Sequence, residues 1–255
     1  MLNRFNSNEG VAIKVFSNGI PGIVFHHHAG RPAMESILTQ SGRKISPPTL
    51  FLCGPGTESS LMTFGKGSYT VIQVVLKPYA LKGLFGINAL TLKDTAAELN
   101  EFSNEDLNEQ LMNAPGELEQ VKRLTNFLIA KYKEANERDP LVEESLHLIH
   151  KRIGPIHVRT LAKHLEISER QFERRFGQTV GISPHSYIRV RRFNEALRLI
   201  KTGQYETLTE IAYALHFHDQ SHFVREIKAF TGITPKSLSQ RVDDFFHNQA
   251  GYSYT

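Results

Sequence analysis

The chain reads Leu161-Ala162-Lys163-His164-Leu165-Glu166-Ile167-Ser168-Glu169-Arg170-Gln171-Phe172-Glu173-Arg174-Arg175-Phe176, then Gly181-Ile182-Ser183-Pro184. Further on it repeats itself in altered form. Ile211-Ala212-Tyr213-Ala214-Leu215 is followed by Asp219-Gln220-Ser221-His222-Phe223-Val224-Arg225-Glu226-Ile227 and by Gly232-Ile233-Thr234-Pro235. Ala162 and Ala212 lie 50 positions apart, while Phe172 and Phe223, and likewise Pro184 and Pro235, lie 51 apart. The second copy thus carries one extra residue in its turn. Two copies are too few for a solenoid, so the pattern describes a paired module.

Each copy reads as two short helices around a tight turn. Leu161, Ala162 and Leu165 form an apolar stripe with a small residue where another helix approaches. Ser168 is an N-cap, with Gln171 completing a capping box. Phe172 and Phe176 then bury one side of the next helix. In the second copy Asp219 caps, Phe223 and Ile227 are buried, and Gln220, Ser221, Val224 and Arg225 face outward. Gly181 and Gly232 end these helices, and Ser183-Pro184 and Thr234-Pro235 open the next ones. A helix, a turn and a helix with an exposed basic face is the outline of a DNA-binding helix-turn-helix. Between the copies, Tyr187, Val190, Phe193, Ala196, Leu197 and Ile200 share one face of a continuous helix from Ser183 to Gly203. About 20 residues span about 30 Å, close to one turn of duplex DNA, so one chain can present two recognition helices to successive major grooves.

Residues 141–241 resemble the DNA-binding domain of the AraC/XylS family. The likeness rests on Leu161-Ala162, Ser168, Phe172, Arg174, Phe176, Tyr187-Ile188-Arg189, Arg192, Ala196 and Leu199. Its most specific part is Phe217-His218-Asp219-Gln220-Ser221-His222-Phe223 with Arg225, Lys228, Gly232 and Thr234-Pro235. The sequence departs from the family at His216 (usually Gly), at Ile227 (usually Phe) and at Leu238-Ser239 (usually Tyr-Arg). A histidine tolerates a left-handed turn position at some cost.

Charge is unevenly spread. The 97 positions from 145 to 241 hold 16 Lys and Arg against 8 Asp and Glu, while the rest of the chain holds 14 against 18. A polyanion partner is expected for the C-terminal half alone. For base reading the candidates are Arg170, Glu173, Arg174, Gln220, Ser221 and Arg225. Arginine donates to guanine, glutamate accepts from cytosine and glutamine pairs with adenine; the resemblance implies contacts at these positions too. Arg189, Arg192 and Lys228 are candidates for phosphates, with a salt bridge inside the helical core as the alternative for Arg192.

The N-terminal half is rich in β-type runs: Val11–Phe16, Ile20–His28, Met34–Gln40, Thr49–Cys53, Leu61–Phe64 and Tyr69–Leu76, broken by Gly and Pro turns. They predict a small, cupin-like β-barrel or sandwich. Helices are expected over Tyr79–Phe85, Thr95–Phe102, Asp106–Met112 and Glu117–Glu134. Val74-Val75-Leu76-Lys77-Pro78 followed by Leu84-Phe85-Gly86-Ile87 is similar to the sensor domains of the same family. On the last helix Leu118, Val121, Leu124, Thr125, Leu128 and Tyr132 share a face, for packing on its own barrel or for a homodimer. Glu134 to Pro140 reads as a linker, with Asp139 capping. The fold class is therefore α+β: residues 1–136 a sensor or dimerisation domain, residues 137–255 a double helix-turn-helix domain.

His26-His27-His28 invites a metal reading, since alternate strand residues point the same way. No partner Glu or second His follows at a suitable spacing, so ordinary histidines are expected and no metal or cofactor. No catalytic constellation stands out, so an enzyme is not expected. Cys53 is the single cysteine, which rules out an intramolecular disulfide, and no signal peptide or membrane span is visible. The expectation is a cytoplasmic regulator that binds double-stranded DNA, with a small-molecule effector, a homodimer and, for an activator, RNA polymerase as further partners. The alternatives are an N-terminal half that only assembles, a ligand-binding barrel enzyme with a basic appendage, and a binder of RNA or of DNA architecture.

Overall fold

The computed structural model describes residues 2–254 apart from 8, 104–105, 136, 152, 154–155, 241–245 and 249–250. Eleven described strands form two antiparallel sheets. The first contains β1 (Leu2–Ser7), β3 (Gly22–His27), β6 (Leu50–Cys53), β8 (Gly67–Val75) and β9 (Ala96–Glu98), in the order β1-β8-β3-β6-β9. The second contains β2 (Val11–Val15), β4 (Met34–Thr39), β5 (Lys44–Ile45), β7 (Ser60–Phe64), β10 (Phe246–Asn248) and β11 (Gly251–Tyr254), in the order β10-β11-β2-β7-β4-β5. Successive strand residues face opposite ways. Val24, Phe51, Tyr69 and Val71 therefore point inward and meet Met34, Ile37 and Phe64 of the other sheet, with Phe64 stacked on Tyr69 at 5.0 Å. Ile23, Phe25, Leu50, Leu52 and Ile72 point the other way, under helices α1 (Ala80–Phe85), α2 (Leu107–Met112) and α3 (Glu117–Glu134). The continuous apolar run in β3 follows from burial on both faces.

The six strands expected between 11 and 76 are present within a residue or two at each end. The helix expected over Thr95–Phe102 is not formed. Ala96, Ala97 and Glu98 pair with Cys53, Leu52 and Phe51 at the sheet edge, and a 3₁₀ turn, Leu99–Phe102, follows. Edge pairing overrides a helix-like spacing too short to nucleate a helix alone.

The C-terminal half is helical: α4 (Pro140–Lys151), α5 (Val158–His164), α6 (Glu169–Val180), α7 (Pro184–Thr202), α8 (Leu208–Ala214), α9 (Gln220–Thr231) and α10 (Pro235–Ser239). The long α7 starts on Ser183, whose hydroxyl accepts the Ser186 N–H, and ends on left-handed Gly203. It serves two cores. Tyr187 and Ile188 pack with α4, α5 and α6, whereas Val190, Phe193, Ala196 and Leu197 pack with α8 and α9. The repeat is therefore three helices deep: Val142 and Leu146 of α4 stand 51 positions before Phe193 and Leu197 of α7, and both pairs are buried. Asn136, where the sequence suggests a boundary, lies outside the described residues. Among the described residues, no helix is long and apolar enough to cross a membrane.

Candidate nucleic-acid interface

The outward helices α6 and α9 are built alike. Ser168 and Asp219 cap them, accepting the N–H groups of Gln171 and His222. The reciprocal bond expected from Gln171 is not found; the complete capping box is Thr207 with Glu210, at the start of α8. The turn before each helix passes through a left-handed residue, Glu166 (φ 56°) in the first unit and His216 (φ 54°) in the second. These positions are 50 apart, so His216 occupies the turn where the family usually has Gly. Phe172 and Phe176, and Phe223 and Ile227, are fully buried. Helical periodicity then leaves Arg170, Glu173 and Arg174 exposed on α6, and Gln220, Ser221 and Arg225 exposed on α9. Gln171, also exposed on α6, joins the first group.

The inner side of each helix is held by a charge pair. Arg175 donates from Nε and Nη2 to the Asp139 carboxylate, both at 2.9 Å. In the second unit Arg189 of α7 donates in the same forked way to Glu226, at 2.7 and 2.9 Å. Arg175 and Glu226 are equivalent positions, 51 apart, with opposite charges. Arg175 ties α6 to the N-cap of α4, and Glu226 ties α9 to the second turn of α7. Asp139 also caps α4 through the Val142 N–H. Burial pushes the Asp139 carboxyl up, but hydrogen bonds from Arg175 and Val142 and the Arg175 charge outweigh it and hold it below the ordinary value.

Two of the phosphate candidates are already engaged inside the domain. The Arg189 guanidinium is committed to Glu226 and also lies 5.3 Å from the Phe230 ring centre. Arg192 is half-buried, its guanidinium 5.4 Å from the Phe217 ring centre. Burial lowers its pKa, with Glu226 pulling the other way. Arg189 is held by a bidentate carboxylate and Arg192 lies over an aromatic face. Lys228 is exposed in the last turn of α9. Sequence reasoning missed Asp139, Arg175 and Glu226 as positioning residues; the one available signal was the charge reversal at equivalent places in the repeat.

The histidine run divides by strand geometry. His26 is fully buried, and its Nδ1 accepts the N–H groups of Ala33 and Met34 at 3.0 and 3.1 Å. A nitrogen facing two donors cannot carry a proton. Burial and, less strongly, His27 lower its pKa to about 4, against the Pro48 carbonyl. His28 bonds the Ser68 carbonyl through Nδ1 at 2.7 Å. Among the described residues, no group of three or more His, Cys, Asp or Glu side chains is placed to hold a metal.

Two helix-turn-helix units sharing one long helix, behind a β-sandwich, define a double helix-turn-helix protein. Residues 161–241 match the family described as Helix-turn-helix domain, and residues 2–98 match one described as Domain of unknown function (DUF6597). A comparison with curated proteins gives no significant match. Among solved structures, the chain is similar to an apo ToxT variant from Vibrio cholerae, with 16% identity over 95% of this chain and 97% of that one, at TM-score 0.51. ToxT bound to (E)-4-(8-methylnaphthalen-1-yl)but-3-enoic acid gives 12% identity, 94% and 97% coverage and TM-score 0.50. A Chromobacterium violaceum transcriptional regulator of the AraC-type DNA-binding group gives 27% identity over 40% of this chain and 92% of that one, at TM-score 0.37. Residues 161–241 of this chain are a helix-turn-helix domain.

Proposed function

We propose that the protein recognises one asymmetric duplex site of about 20 bp, with α6 and α9 in successive major grooves. The observation that carries this reading is the matched exposure of Arg170, Glu173 and Arg174 in one unit and Gln220, Ser221 and Arg225 in the other, each on a helix whose opposite side is clamped. The 19 residues of α7 give about 28 Å between the units. Lys228 holds a phosphate. In this reading the helical residues 137–240 bind DNA and the sandwich, which the chain's last strands β10 and β11 join through β2, controls them, by sensing a small molecule or by joining two copies; an activator would also meet RNA polymerase. The test is selection of bound duplexes from a random pool, followed by a salt titration of the winner. Two short boxes about one helical turn apart support the reading; a pool with no enriched motif refutes it.

Assembly through α3 is favoured by a specific observation. Gln120, Leu124 and Phe127 are the residues this helix buries, leaving Leu118 87% and Tyr132 74% exposed, with Val121, Thr125 and Ile129 between them. Spacings of three and four along that exposed face are those of a helix-pairing seam. Sedimentation of the wild type and of Leu118→Glu measures this: a dimer becoming a monomer supports it, and a monomer in both refutes it.

A further inference from the structure

The turns of the two helix-turn-helix units differ by one residue, and their hydrogen bonds identify it. In the first unit the N–H groups of Glu166 and Ile167 donate to the carbonyls of Lys163 and Ala162, at 3.2 and 3.1 Å. In the second, His216 and Phe217 donate in the same way to Tyr213 and Ala212, at 3.0 and 2.9 Å. Glu166 therefore corresponds to His216 and Ile167 to Phe217, both 50 positions apart, while the caps Ser168 and Asp219 are already 51 apart. The additional residue is His218. It stands immediately before the cap of α9, at a place for which the first unit has no residue.

Because Phe217 is drawn into the core and Asp219 must cap the helix, the residue between them is pushed outward. The His218 side chain is 87% exposed. Its imidazole is nonetheless fixed: Nδ1 lies 2.9 Å from Oδ2 of Asp219, whose other oxygen accepts the His222 N–H at 2.7 Å. The bonds from the His218 ring and the His222 N–H hold the Asp219 carboxyl below its ordinary value. It is thus ionised at neutral pH and can only accept, so the ring proton sits on Nδ1 and Nε2 is left to gain a second. The other charged or titratable groups around the turn are His216, then His222, Arg225 and Glu226 of α9, Tyr213 of α8 and Arg192 of α7. Of these, the His222 ring lies edge-on to Phe217 at 5.5 Å and the Arg192 guanidinium 5.4 Å from the same ring, while Glu226 is taken up by Arg189.

We propose that His218 is a proton-dependent phosphate contact: it binds a DNA phosphodiester at the wall of the groove that α9 enters when its imidazole carries a second proton, so the second unit holds the duplex more tightly as pH falls. The inference rests on the reading of α9 as a recognition helix. A helix that enters a major groove by its N-terminal end brings the residues just before its cap against the sugar-phosphate wall. There the neutral ring presents a lone pair on Nε2, which cannot donate to a phosphate oxygen. Uptake of one proton from solvent turns Nε2 into a donor and the ring into a cation, and leaves the bond to Asp219 in place. Histidine makes this change between about pH 8 and 5, and a phosphate in contact favours the charged form. With no counterpart in the first unit, the effect belongs to one half of the DNA site.

The test titrates the full chain with the duplex it selects, at about pH 8 and about pH 5.5 and over a range of salt. Wild type, His218→Gln and His218→Arg are compared. Lowering the pH is expected to tighten wild-type binding by about fivefold more than it tightens His218→Gln. The wild-type plot of log affinity against log salt should steepen by about 0.9 over the same interval, the signature of one more neutralised phosphate. His218→Arg, charged throughout, is expected to keep the steeper salt dependence at both values. A single uncharged methylphosphonate in the half-site of α9 should remove the wild-type gain, which also locates the contact without any protein variant. An equal pH response in wild type and His218→Gln, an unchanged salt slope, or loss of the gain in His222→Gln instead overturns the proposal. No selected duplex at either pH refutes the regulator reading and this inference with it; a selected duplex whose pH response ignores His218 sinks this inference alone.

Discussion

Replacing Phe16 by Ala tests the joint between the two halves of the chain. The side chain comes from the sandwich, yet it is buried among Val190, Phe193, Leu197 and Phe230 of the second helix-turn-helix unit. Truncating a buried Phe to Ala costs about 3–5 kcal/mol. The lower end applies at an interface whose walls can close or hydrate, so about 3 kcal/mol is expected, roughly a 150-fold weakening of docking. The cores on either side keep their own residues, with Phe193 still stacked on Phe230 at 4.5 Å. The loss therefore falls on the coupling between halves rather than on the folding of either. Thermal unfolding is expected to change from one cooperative transition to two, the C-terminal one lower by about 12–14 °C for a unit of this size. Limited proteolysis between α3 and α4 should accelerate in parallel. Phe64→Ala, inside the sandwich, is the control and should lower the N-terminal transition instead. A Phe16→Ala protein that melts within a degree or two of wild type, in one transition, would show that the ring is not seated where the structure places it.

Arg174→Ala is expected to weaken the selected duplex by about 1–3 kcal/mol and relax preference at one base pair; equal loss on random DNA in a binding titration would refute base reading. Asp139→Asn keeps the α4 cap but loses the charge opposite Arg175, at a cost of about 1–2 kcal/mol near pH 7. Because the folded carboxyl lies below its ordinary value, that stabilisation is present above about pH 4 and lost as pH falls through the folded pKa. Urea midpoints of the two proteins should therefore converge in acid, and a gap that persists at low pH would contradict the assignment. His26 is held neutral at a pKa of about 4, so its contribution is complete above pH 6.5 and declines toward pH 4, by at most about 3 kcal/mol. His150, lowered to about 4 by burial and the nearby charges of Arg191, Lys77 and His147, adds to the same window. His27, also lowered by burial, contributes as well, so His26→Asn should flatten the slope of stability against pH between 6.5 and 4 without abolishing it; an unchanged slope would place the titration elsewhere. His216→Gly relieves a left-handed backbone and is expected to raise stability by up to about 1 kcal/mol. A lower urea midpoint would mean that the imidazole contributes more than the strain removes.

What could be read in the sequence divides by the range of the interaction. The caps at Ser168, Asp219, Ser183 and Thr234, the left-handed His216 and the exposed faces of α6 and α9 are all set within a few residues, and each was legible in order. The strands of the sandwich were legible too, because half-buried alternation and Gly turns are local signals. Ala96–Glu98 was not, since its strand character comes from a neighbour more than forty positions earlier in the chain. Leu2–Ser7 and the strand Gly251–Tyr254 likewise exist through partners far along the chain, β8 and β2.

The internal partners of Arg189 and Arg175 carry the same lesson in electrostatic form. An arginine on an amphipathic helix looks alike whether its partner is a phosphate or a carboxylate 37 residues away, as Glu226 is from Arg189. Arg175 and Asp139 are separated by nearly the same distance in sequence, 36 residues. Comparing the two copies position by position finds Arg175 against Glu226 and reads it as divergence. The structure pairs both residues with a partner of opposite charge, but from neighbouring rather than equivalent positions, since Asp139 corresponds to Val190, the residue next to Arg189. A clamp found in both units with its charges exchanged points to the orientation of the recognition helix as what the fold must maintain.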